Sequence, residues 1–434
     1  MKIEFTNNTV ELFAKALFHY VPDILNYIDE IADPRRNRTY SMRYLIISEM
    51  LMFLSSGGSQ RFTETAFDEN YLQNIASIIK EEVLEKVPDA EIYTDVFSKI
   101  KCEDIEKLQY KINYRMLRNK TYENSKILGK YNILLDGTRF QKAYTSVSTE
   151  WLHEEINDNI VYYVAMLEAK LAANLMAVPL CSEMIRNEDG KEKQDCEINA
   201  AKRLIVKIKE TYPRLPIRIV ADSLYPSESL IKLSEANNIE YLFVLKDKRI
   251  PSILTEFVNL VGLEKDNLKF EEYEDKAVLT LWVNDIDYCG SKVNVVRQIT
   301  HNKSTKEVTR WMWITSRKIT KSNVEKIVTC GKMRDYIENQ GFREQKITSG
   351  IDLEHVYSKN IEAIKVIYTI IQTVHLMLQI LEHSDICEDF SKKYGSVKVF
   401  AKKFYAHLTE RIIDMVKILE LKIQIRYPDM TIII

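Results

Sequence analysis

The amino-acid sequence predicts a mixed α/β protein in which helical regions flank a central mixed sheet. Apolar residues recur every three or four positions through the first 128 residues, which is the spacing of amphipathic helices. From residue 130 onwards, short apolar runs closed by turn residues alternate with helical patterns, as in sheets that carry packed helices. After residue 320 the helical spacing returns and continues nearly to the end of the chain.

The N-terminal region, residues 1–128, is expected to form a helical domain. Segments such as MRYLIISEMLMFLS and EDIEKLQYKINYRML carry apolar residues at helical spacing. Between the first two helices lies a polar break, ADPRRNRTY, in which Arg35, Arg36 and Arg38 are clustered. A solvated loop explains this cluster, and contact with DNA phosphates is the alternative. On that alternative, Arg35 and Arg36 are candidate DNA-binding residues.

The segment 129–247 is expected to hold the first part of the core. KYNILLDGT is a short apolar run closed by Asp-Gly, which predicts a strand followed by a turn. IVYYVAMLEAKLA and LMAVPLCSEMI predict antiparallel partners of that strand. KQDCEINAAKRLIVKIKETYP predicts a helix capped by Asp195. PIRIVADSLYPS then predicts a strand and turn, SESLIKLSEANN a helix, and EYLFVLKD another strand.

The remaining regions follow from changes of pattern. Residues 248–320 contain strand-like stretches such as AVLTLWVNDIDY and TRWMWITS, and predict a β-rich insertion into the core. The core resumes over 321–382, where the apolar run IEAIKVIYTIIQTVHLMLQIL carries charged and amide side chains. That polarity indicates a buried core helix rather than a membrane span. Residues 383–434 are predicted to form a basic helical segment.

The basic C-terminal segment is a second candidate contact for DNA. From Ser391 to Ile434 the sequence has nine Lys and Arg residues against four Asp and Glu residues. Lys402 and Lys403 are therefore candidate ligands of DNA phosphates. A solvated helix face explains the same charge equally well.

Composition excludes several classes of protein. With 46% hydrophobic and 29% charged residues, the chain is typical of an ordered globular protein. The six cysteines include no CxxC pair, so neither a disulfide framework nor a zinc knuckle is predicted. The first ten residues are too polar for a signal peptide, and we expect a cytoplasmic protein. The net charge of −2 does not by itself indicate nucleic-acid binding.

Two aspartates that close predicted strands are candidate metal ligands. Asp136 follows the apolar residues ILL, and Asp222 follows IRIVA. Because ligands of α/β proteins gather where strands end, these carboxylates are expected to lie close together. For either aspartate taken alone, the preference of turns for Asp before Gly or Ser is the simpler explanation.

A third acid, Glu338, lies four residues after Arg334 in GKMRDYIENQGFREQK. On a helix these two residues would share one face, with the glutamate beside a fixed positive charge. Three carboxylates at one site are suited to holding divalent metal ions for phosphoryl transfer. We interpret Asp195 and Glu197 as the charged start of a helix rather than as further acids of this site.

The DGT motif is also typical of phosphatases of the haloacid dehalogenase type, which are the competing class of enzyme. Those enzymes need an aspartate nucleophile two residues before the aspartate of DGT. Leu134 occupies that position, so the nucleophile is missing and this class is disfavoured.

Five blocks occur in order along the chain: ILLDGT, KQDCEINAAKRL, ADSLYPS, WMWITSRKI, and RDYIENQGFREQK with IDLEH behind it. Together they resemble bacterial insertion-sequence transposases of the DDE type. The most similar group carries a Tyr-Arg-Glu-Lys signature around its third acid. DPRRNRTY…MRYLIISEMLMFL and IEAIKVIYTIIQTVHLML resemble the family as well, so the resemblance extends over most of the chain.

The resemblance implies an RNase-H-like catalytic core in which Asp136, Asp222 and Glu338 are the three catalytic acids. They would bind two Mg²⁺ or Mn²⁺ ions, for which carboxylate oxygens are suitable ligands. One ion would activate a water molecule or a DNA 3′-hydroxyl, and the other would stabilise the leaving 3′-oxygen.

The signature around the third acid is matched only in part. The resemblance implies that Arg334 positions DNA near the active site and that Lys346 is the signature lysine. Lys346 lies one residue later than the usual spacing from Glu338. Gly331 stands at the position of the signature tyrosine, and Asp335 stands where many relatives have tryptophan.

The function that the resemblance implies is transposition of an insertion sequence. The protein would bind the terminal inverted repeats as double-stranded DNA, cleave at the element's ends and join them to target DNA. We expect a homodimer in a synaptic complex, in the bacterial cytoplasm with the nucleoid, and no membrane partner. The alternative is a transposase-derived DNA-binding protein without catalytic activity.

Overall fold

A computed structural model describes residues 6–36, 38–145, 147, 151–173, 175–186, 193–246, 249–348, 351, 353–387, 389–430 and 432. Seven described helices precede the first strand: α1 (Thr9–Tyr20), α2 (Ile24–Asp29), α3 (Met42–Leu54), α4 (Gln60–Ala66), α5 (Glu69–Ile79), α6 (Ala90–Phe97) and α7 (Cys102–Arg118). This confirms the helical character predicted for the N-terminal region.

Polar caps explain where several of these helices begin. The side chain of Asn8 accepts hydrogen bonds from the first-turn amides of α1, and Ser41 and Asp68 do the same for α3 and α5. Helix α3 is buried on nearly all sides, in agreement with its apolar sequence. It therefore forms the centre of the helical region rather than one of its faces.

Helix α3 carries one buried carboxyl group, that of Glu49. It is fully buried, and one of its oxygens accepts a hydrogen bond of 2.8 Å from the Gln60 amide. Burial raises the pKa of Glu49 to about 8, so the side chain is a neutral acid at neutral pH.

The buried acid predicts a pH-dependent stability. The pKa of Glu49 is higher in the folded than in the unfolded chain, so its contribution is complete below the ordinary value of 4.5 and is lost as pH rises towards about 8. Within that window the free energy of unfolding should fall by about 1.4 kcal/mol per pH unit from this group alone. Urea unfolding of Glu49→Gln between these pH values should show a shallower decline than the wild type. Parallel curves for the two proteins would contradict the prediction.

The sheet follows the helical region. Its ten described strands are β1 (Tyr131–Ala143), β2 (Leu152–Ile156), β3 (Asn159–Ala172), β4 (Ala177–Ile185), β5 (Ile217–Ala221), β6 (Glu240–Val244), β7 (Leu268–Glu272), β8 (Lys276–Tyr288), β9 (Ser291–Asn302) and β10 (Val308–Thr315). The order across the sheet is β2-β3-β1-β5-β6-β10-β9-β8-β7, and β4 also pairs with β3. The two pairs β1–β5 and β5–β6 are parallel, whereas the other described pairs are antiparallel. The predicted mixed α/β class is confirmed.

The later helices cover this sheet and pack against the N-terminal region. They are α8 (Lys193–Thr211), α9 (Glu228–Ala236), α10 (Pro251–Val261), α11 (Val324–Lys332), α12 (Ile361–His383), α13 (Phe390–Tyr394), α14 (Val397–Glu410) and α15 (Met415–Glu420). Of the described helices, α12 alone has the length and apolar composition to cross a membrane, and it is almost wholly buried inside the protein. It is a core helix, as its polar residues predicted.

The alternation of side chains along β1 and β5 assigns their two faces. Leu134 and Val220 belong to a core cluster that includes residues of α11 and the segment after it. Ile133 and Ile219 belong to the main core, together with α8 and the N-terminal helices. Because both faces are covered, the paired stretches 133–135 and 219–221 are continuously apolar instead of alternating with polar residues.

Three predicted features of the chain are wrong in detail. LMAVPLCSEMI forms a strand, β4, but it pairs with β3 and not with the first strand. Residues 248–320 contain helix α10 as well as strands, and those strands extend the central sheet through the pairing of β10 with β6. The C-terminal segment is helical only to Glu420. The pairings of β4 with β3 and of β10 with β6 depend on contacts between distant segments, which local patterns do not contain.

Candidate active site

Asp136 and Asp222 lie side by side on neighbouring parallel strands. The register pairs Leu134 with Val220 and Leu135 with Ala221, so Asp136 and Asp222 are the residues that directly follow this pairing. Each carboxylate is also fixed by its own backbone. The Gly137 amide donates to Asp136 Oδ1 at 3.0 Å, and the Leu224 amide donates to Asp222 Oδ1 at 2.7 Å. The two acids therefore have defined positions at one edge of the parallel pairing.

The predicted turn after Asp136 is absent, because β1 continues as a strand to Ala143. Strand β3 pairs with β1 beyond this point and supplies hydrogen bonds that a turn would leave unmade. The parallel pairing with β5, however, ends at Leu135. Asp136 is thus the first residue of β1 after its pairing with β5 ends. This position is the sheet edge at which a ligand site is expected.

Arg334 supplies the positive charge of the site. Its Nη2 lies 3.0 Å from Asp136 Oδ2, and its Nη1 lies 3.9 Å from Asp335 Oδ1. The expectation that Arg334 and Glu338 share one face of a continuous helix is wrong. Helix α11 ends at Lys332, Arg334 lies in the following turn, and Glu338 belongs to the next helical segment. The guanidinium is directed towards the strand acid instead.

Glu197 is a further acid at this site, although the sequence interpretation favoured a role for it at the start of a helix. The Tyr225 hydroxyl donates to Glu197 Oε1 at 2.6 Å. The same carboxylate lies so close to Gly137 that a Cβ there would be 3.2 Å from Glu197 Oε1. Helix α8 begins at Lys193, so Asp195 lies inside the helix and is not its cap; the Asp195 side chain lies outside the described part of the chain. The glycine directly after Asp136 is a signal in the sequence that another group approaches the strand closely.

The electrostatic state of Asp136 reflects this crowding of acids. Burial, together with the neighbouring Asp222 and Glu197, raises the pKa of Asp136 to about 6, although Arg334 acts in the opposite direction. One guanidinium thus faces three carboxylates. The site carries an excess of negative charge, which a bound cation would relieve.

Glu338 lies on a wide-turn helix, Ile337–Phe342, which has π-helical geometry and packs against β1, β3 and β4. Its side chain is exposed. Within the described residues, no group of three or more His, Cys, Asp or Glu side chains is arranged to hold a metal ion. Glu338 therefore reaches the two aspartates only after movement of its side chain or of this segment. Its assignment as the third acid stays a prediction.

The positions that depart from the family signature have local explanations. A Cβ on Gly331 would lie 2.4 Å from Nε1 of the buried Trp313, so no larger residue fits there in this arrangement. Lys346 is exposed on a second wide-turn segment, Glu344–Thr348, with its ammonium 5.8 Å from the centre of the Phe342 ring. The tyrosine of the signature is thus excluded by the packing of β10 against α11.

The other candidate DNA ligands lie in two separate regions. Arg35 is largely buried and forms a two-point ion pair with Asp33, with Nη2–Oδ2 at 2.8 Å. Because it also donates to the Tyr40 carbonyl, Arg35 organises its own loop, while Arg36 is exposed. Lys402 and Lys403 are exposed on α14, with the Lys403 ammonium 5.2 Å from the centre of the Tyr394 ring.

Hard oxygen ligands dominate this site, since Asp136, Asp222 and Glu197 all present carboxylates. Such groups are suited to Mg²⁺ or Mn²⁺ rather than to softer metals. In chemical terms the arrangement offers oxygen ligands of the kind that a divalent cation prefers, and a cationic group, Arg334, lies beside one of them. Among known proteins, no family model matches this chain, and a comparison with curated proteins finds no match.

Proposed function

We propose that this protein is a DDE-type transposase that cleaves DNA at the ends of an insertion sequence and joins those ends to a target. The observation that carries the proposal is the pair of acids, Asp136 and Asp222, on adjacent parallel strands beside Arg334. An isolated strand-end aspartate is common. Two that meet at one edge with an arginine and a further glutamate are suited to phosphoryl transfer.

The strand order supports an RNase-H-like core. Strands β1, β3 and β4 are successive antiparallel neighbours, and β5 and β6 then lie parallel on the other side of β1. Helix α8 connects β4 to β5, and α9 connects β5 to β6. Three antiparallel strands followed by two that run parallel to the first are the arrangement expected of such a core. We infer that Asp136 and Asp222 are its first and second acids.

The residues at the site fit a divalent metal. The raised pKa of Asp136, caused by burial and by its acidic neighbours, indicates carboxylates that one arginine does not neutralise. Asp136 and Asp222 would hold the metal, and Glu338 would complete the set. When bound, Mg²⁺ or Mn²⁺ supplies activation of the attacking hydroxyl and charge stabilisation of the leaving oxygen.

The protein's own residues would prepare the site for the DNA. In the absence of DNA, Arg334 forms an ion pair with Asp136; when a phosphate arrives, its guanidinium can turn to that group and form two parallel hydrogen bonds. Tyr225 holds the Glu197 carboxylate over Gly137, which keeps that acid from swinging into solvent. The wide-turn helix Ile337–Phe342 brings Glu338 towards the two aspartates when the complex with DNA forms.

The wide-turn geometry offers an explanation for the late position of Lys346. A π-type turn accommodates one residue more than an α-helical turn, and such turns occur often at functional sites. One additional residue between Glu338 and Lys346 is therefore absorbed by the segment from Ile337 to Thr348 instead of rotating the lysine away. We infer that Lys346 serves as the signature lysine, directed to a DNA phosphate.

The rival function is DNA binding without catalysis. The test is a plasmid that carries the DNA flanking this reading frame, incubated with the purified protein and Mg²⁺ or Mn²⁺. A transposase nicks or excises at the boundaries of the element and does so only with the metal. Binding to the boundaries without metal-dependent cleavage would instead support the rival function.

A further inference from the structure

A basic pocket opens in the helical part of the protein, separate from the acids of the sheet. It has a volume of about 430 Å³ and lies where α1, α5, α7 and the segment after α15 meet. Its basic residues are Lys15, His19, Lys80, Arg115 and Lys422, and the ten residues that line it include no Asp or Glu. Such a concentration of cations around one opening is unusual in a chain whose net charge is −2.

One of these cations has a structural role. The Lys15 ammonium donates to the carbonyl oxygens of Ile418, at 2.8 Å, and Leu421 at the end of α15, and so caps that helix. By contrast, no carboxylate of the described residues lies within ion-pair distance of Lys80, Arg115 or Lys422. Their charges therefore remain available to a ligand.

Helix dipoles offer a structural explanation for the pocket, because four helices end around it. Each helix C-terminus is equivalent to about half a negative charge, so four ends give about −2. The pocket nevertheless contains four full positive charges, from Lys15, Lys80, Arg115 and Lys422. Burial lowers the pKa of His19, and the nearby positive charges of Arg115 and Lys15 lower it as well. Helix ends alone do not account for the cations.

A second opening extends the basic surface along α7. Its volume is about 620 Å³, and it shares Arg115 and Pro22 with the first pocket. It adds the exposed Arg118, as well as Lys111, which is paired with Asp23 at 3.0 Å. Arg115 therefore lines two adjoining depressions, so the basic residues of both openings belong to one continuous surface.

We propose that Lys80, Arg115 and Lys422 bind backbone phosphates of duplex DNA outside the catalytic site. Phosphate contacts of this kind position a protein on DNA and do not depend on sequence. The choice of DNA over another polyanion rests on the proposed transposase function. The pocket also assigns a role in DNA binding to the N-terminal helices, where Arg35 is already occupied by Asp33.

The test compares two triple variants that remove the same charge. Lys80→Gln, Arg115→Gln and Lys422→Gln are combined in one protein, and the exposed residues Lys265, Lys306 and Lys321 are each changed to Gln in the control. Binding of a short DNA duplex of arbitrary sequence is measured by fluorescence anisotropy between about 50 and 200 mM salt. The logarithm of the binding constant falls linearly with the logarithm of the salt concentration, and each phosphate contact contributes about 0.9 to the steepness of this slope. The slope of the pocket variant should therefore be less steep by about 2 to 3, and its binding should be weaker by on the order of tenfold.

A single variant guards against misfolding of the triple one. The side chain of Lys422 is exposed, so Lys422→Gln removes a charge without disturbing the core. This variant should make the salt dependence of DNA binding less steep by about 0.9. Equal affinity and slope for the pocket and control variants would overturn the proposal. So would tight calorimetric binding of inorganic phosphate that the pocket variant loses while its DNA binding stays unchanged, since the ligand would then be a small phosphate.

The outcomes of these experiments separate a failure of the pocket proposal from a failure of the transposase proposal. If the wild type binds DNA through this pocket but never cleaves it, the pocket is supported and the transposase proposal fails. If the wild type cleaves DNA and the pocket variant binds DNA like the control, the transposase proposal is supported and the pocket proposal fails.

Discussion

Replacing Asp222 by asparagine should abolish metal-dependent cleavage of the element's ends. Asparagine keeps the shape of the side chain, and its oxygen can still accept the hydrogen bond from the Leu224 amide. It removes the negative charge that a hard divalent cation requires. We expect the rate to fall by at least about a thousandfold, which corresponds to about 4 kcal/mol of transition-state free energy. The measurement is the rate of strand cleavage with Mg²⁺ in excess.

The control for this variant is Asp287→Asn, which removes an equal charge from a side chain that is 78% exposed on β8. It should cleave at the wild-type rate. Binding of the uncut duplex should be similar in both variants, because phosphate contacts by Lys and Arg do not require the acid. Substantial cleavage by Asp222→Asn would show that the metal is held elsewhere. Loss of DNA binding together with cleavage would indicate a folding defect instead.

The second large effect concerns a buried ion pair beneath the segment that carries Glu338. Lys170 and Glu168 are both fully buried on β3, with Nζ and Oε2 3.9 Å apart. The Lys170 ammonium also donates to Gln372 of α12 at 3.1 Å, and the Gln345 amide donates to the same oxygen at 2.8 Å. Lys170 thus joins the sheet, the core helix and the wide-turn segment.

Lys170→Met should lower the free energy of unfolding by about 3 to 5 kcal/mol, because it leaves Glu168 buried without its cation. The aliphatic part of Lys170 packs close to Gly341, and methionine preserves much of that contact. The double variant Lys170→Met and Glu168→Gln should recover most of the loss, since no uncompensated charge remains. Urea unfolding of the single and double variants measures both effects. A double variant as unstable as the single one would show that lost packing, rather than charge, is responsible.

Local patterns predicted the elements of the fold that depend on nearby residues. The strand that contains Asp136 and the strand that precedes Asp222 were predictable, because a short apolar run is a short-range signal. The buried α12 was predictable for the same reason, since its polar residues are visible in the sequence. These predictions required no knowledge of which segments meet.

The contacts that define the site were not predictable in this way. Residue Arg334 is 198 positions from its ion-pair partner Asp136, and a spacing rule within one helix pointed to Glu338 instead. Glu197 reaches Gly137 from helix α8, and only the packed structure brings them together. Likewise, β1 continues past Asp136 because β3 is its partner, so a distant strand outweighs the local turn preference.

The cleavage rate of Glu338→Gln tests the three-acid site most directly, because Glu338 is exposed in this structure and has to join the two aspartates in the complex with DNA. Its rate with Mg²⁺ and the element's ends should be as low as that of Asp222→Asn, while the exposed control Asp287→Asn should stay close to the wild type. Wild-type cleavage by Glu338→Gln would contradict the site.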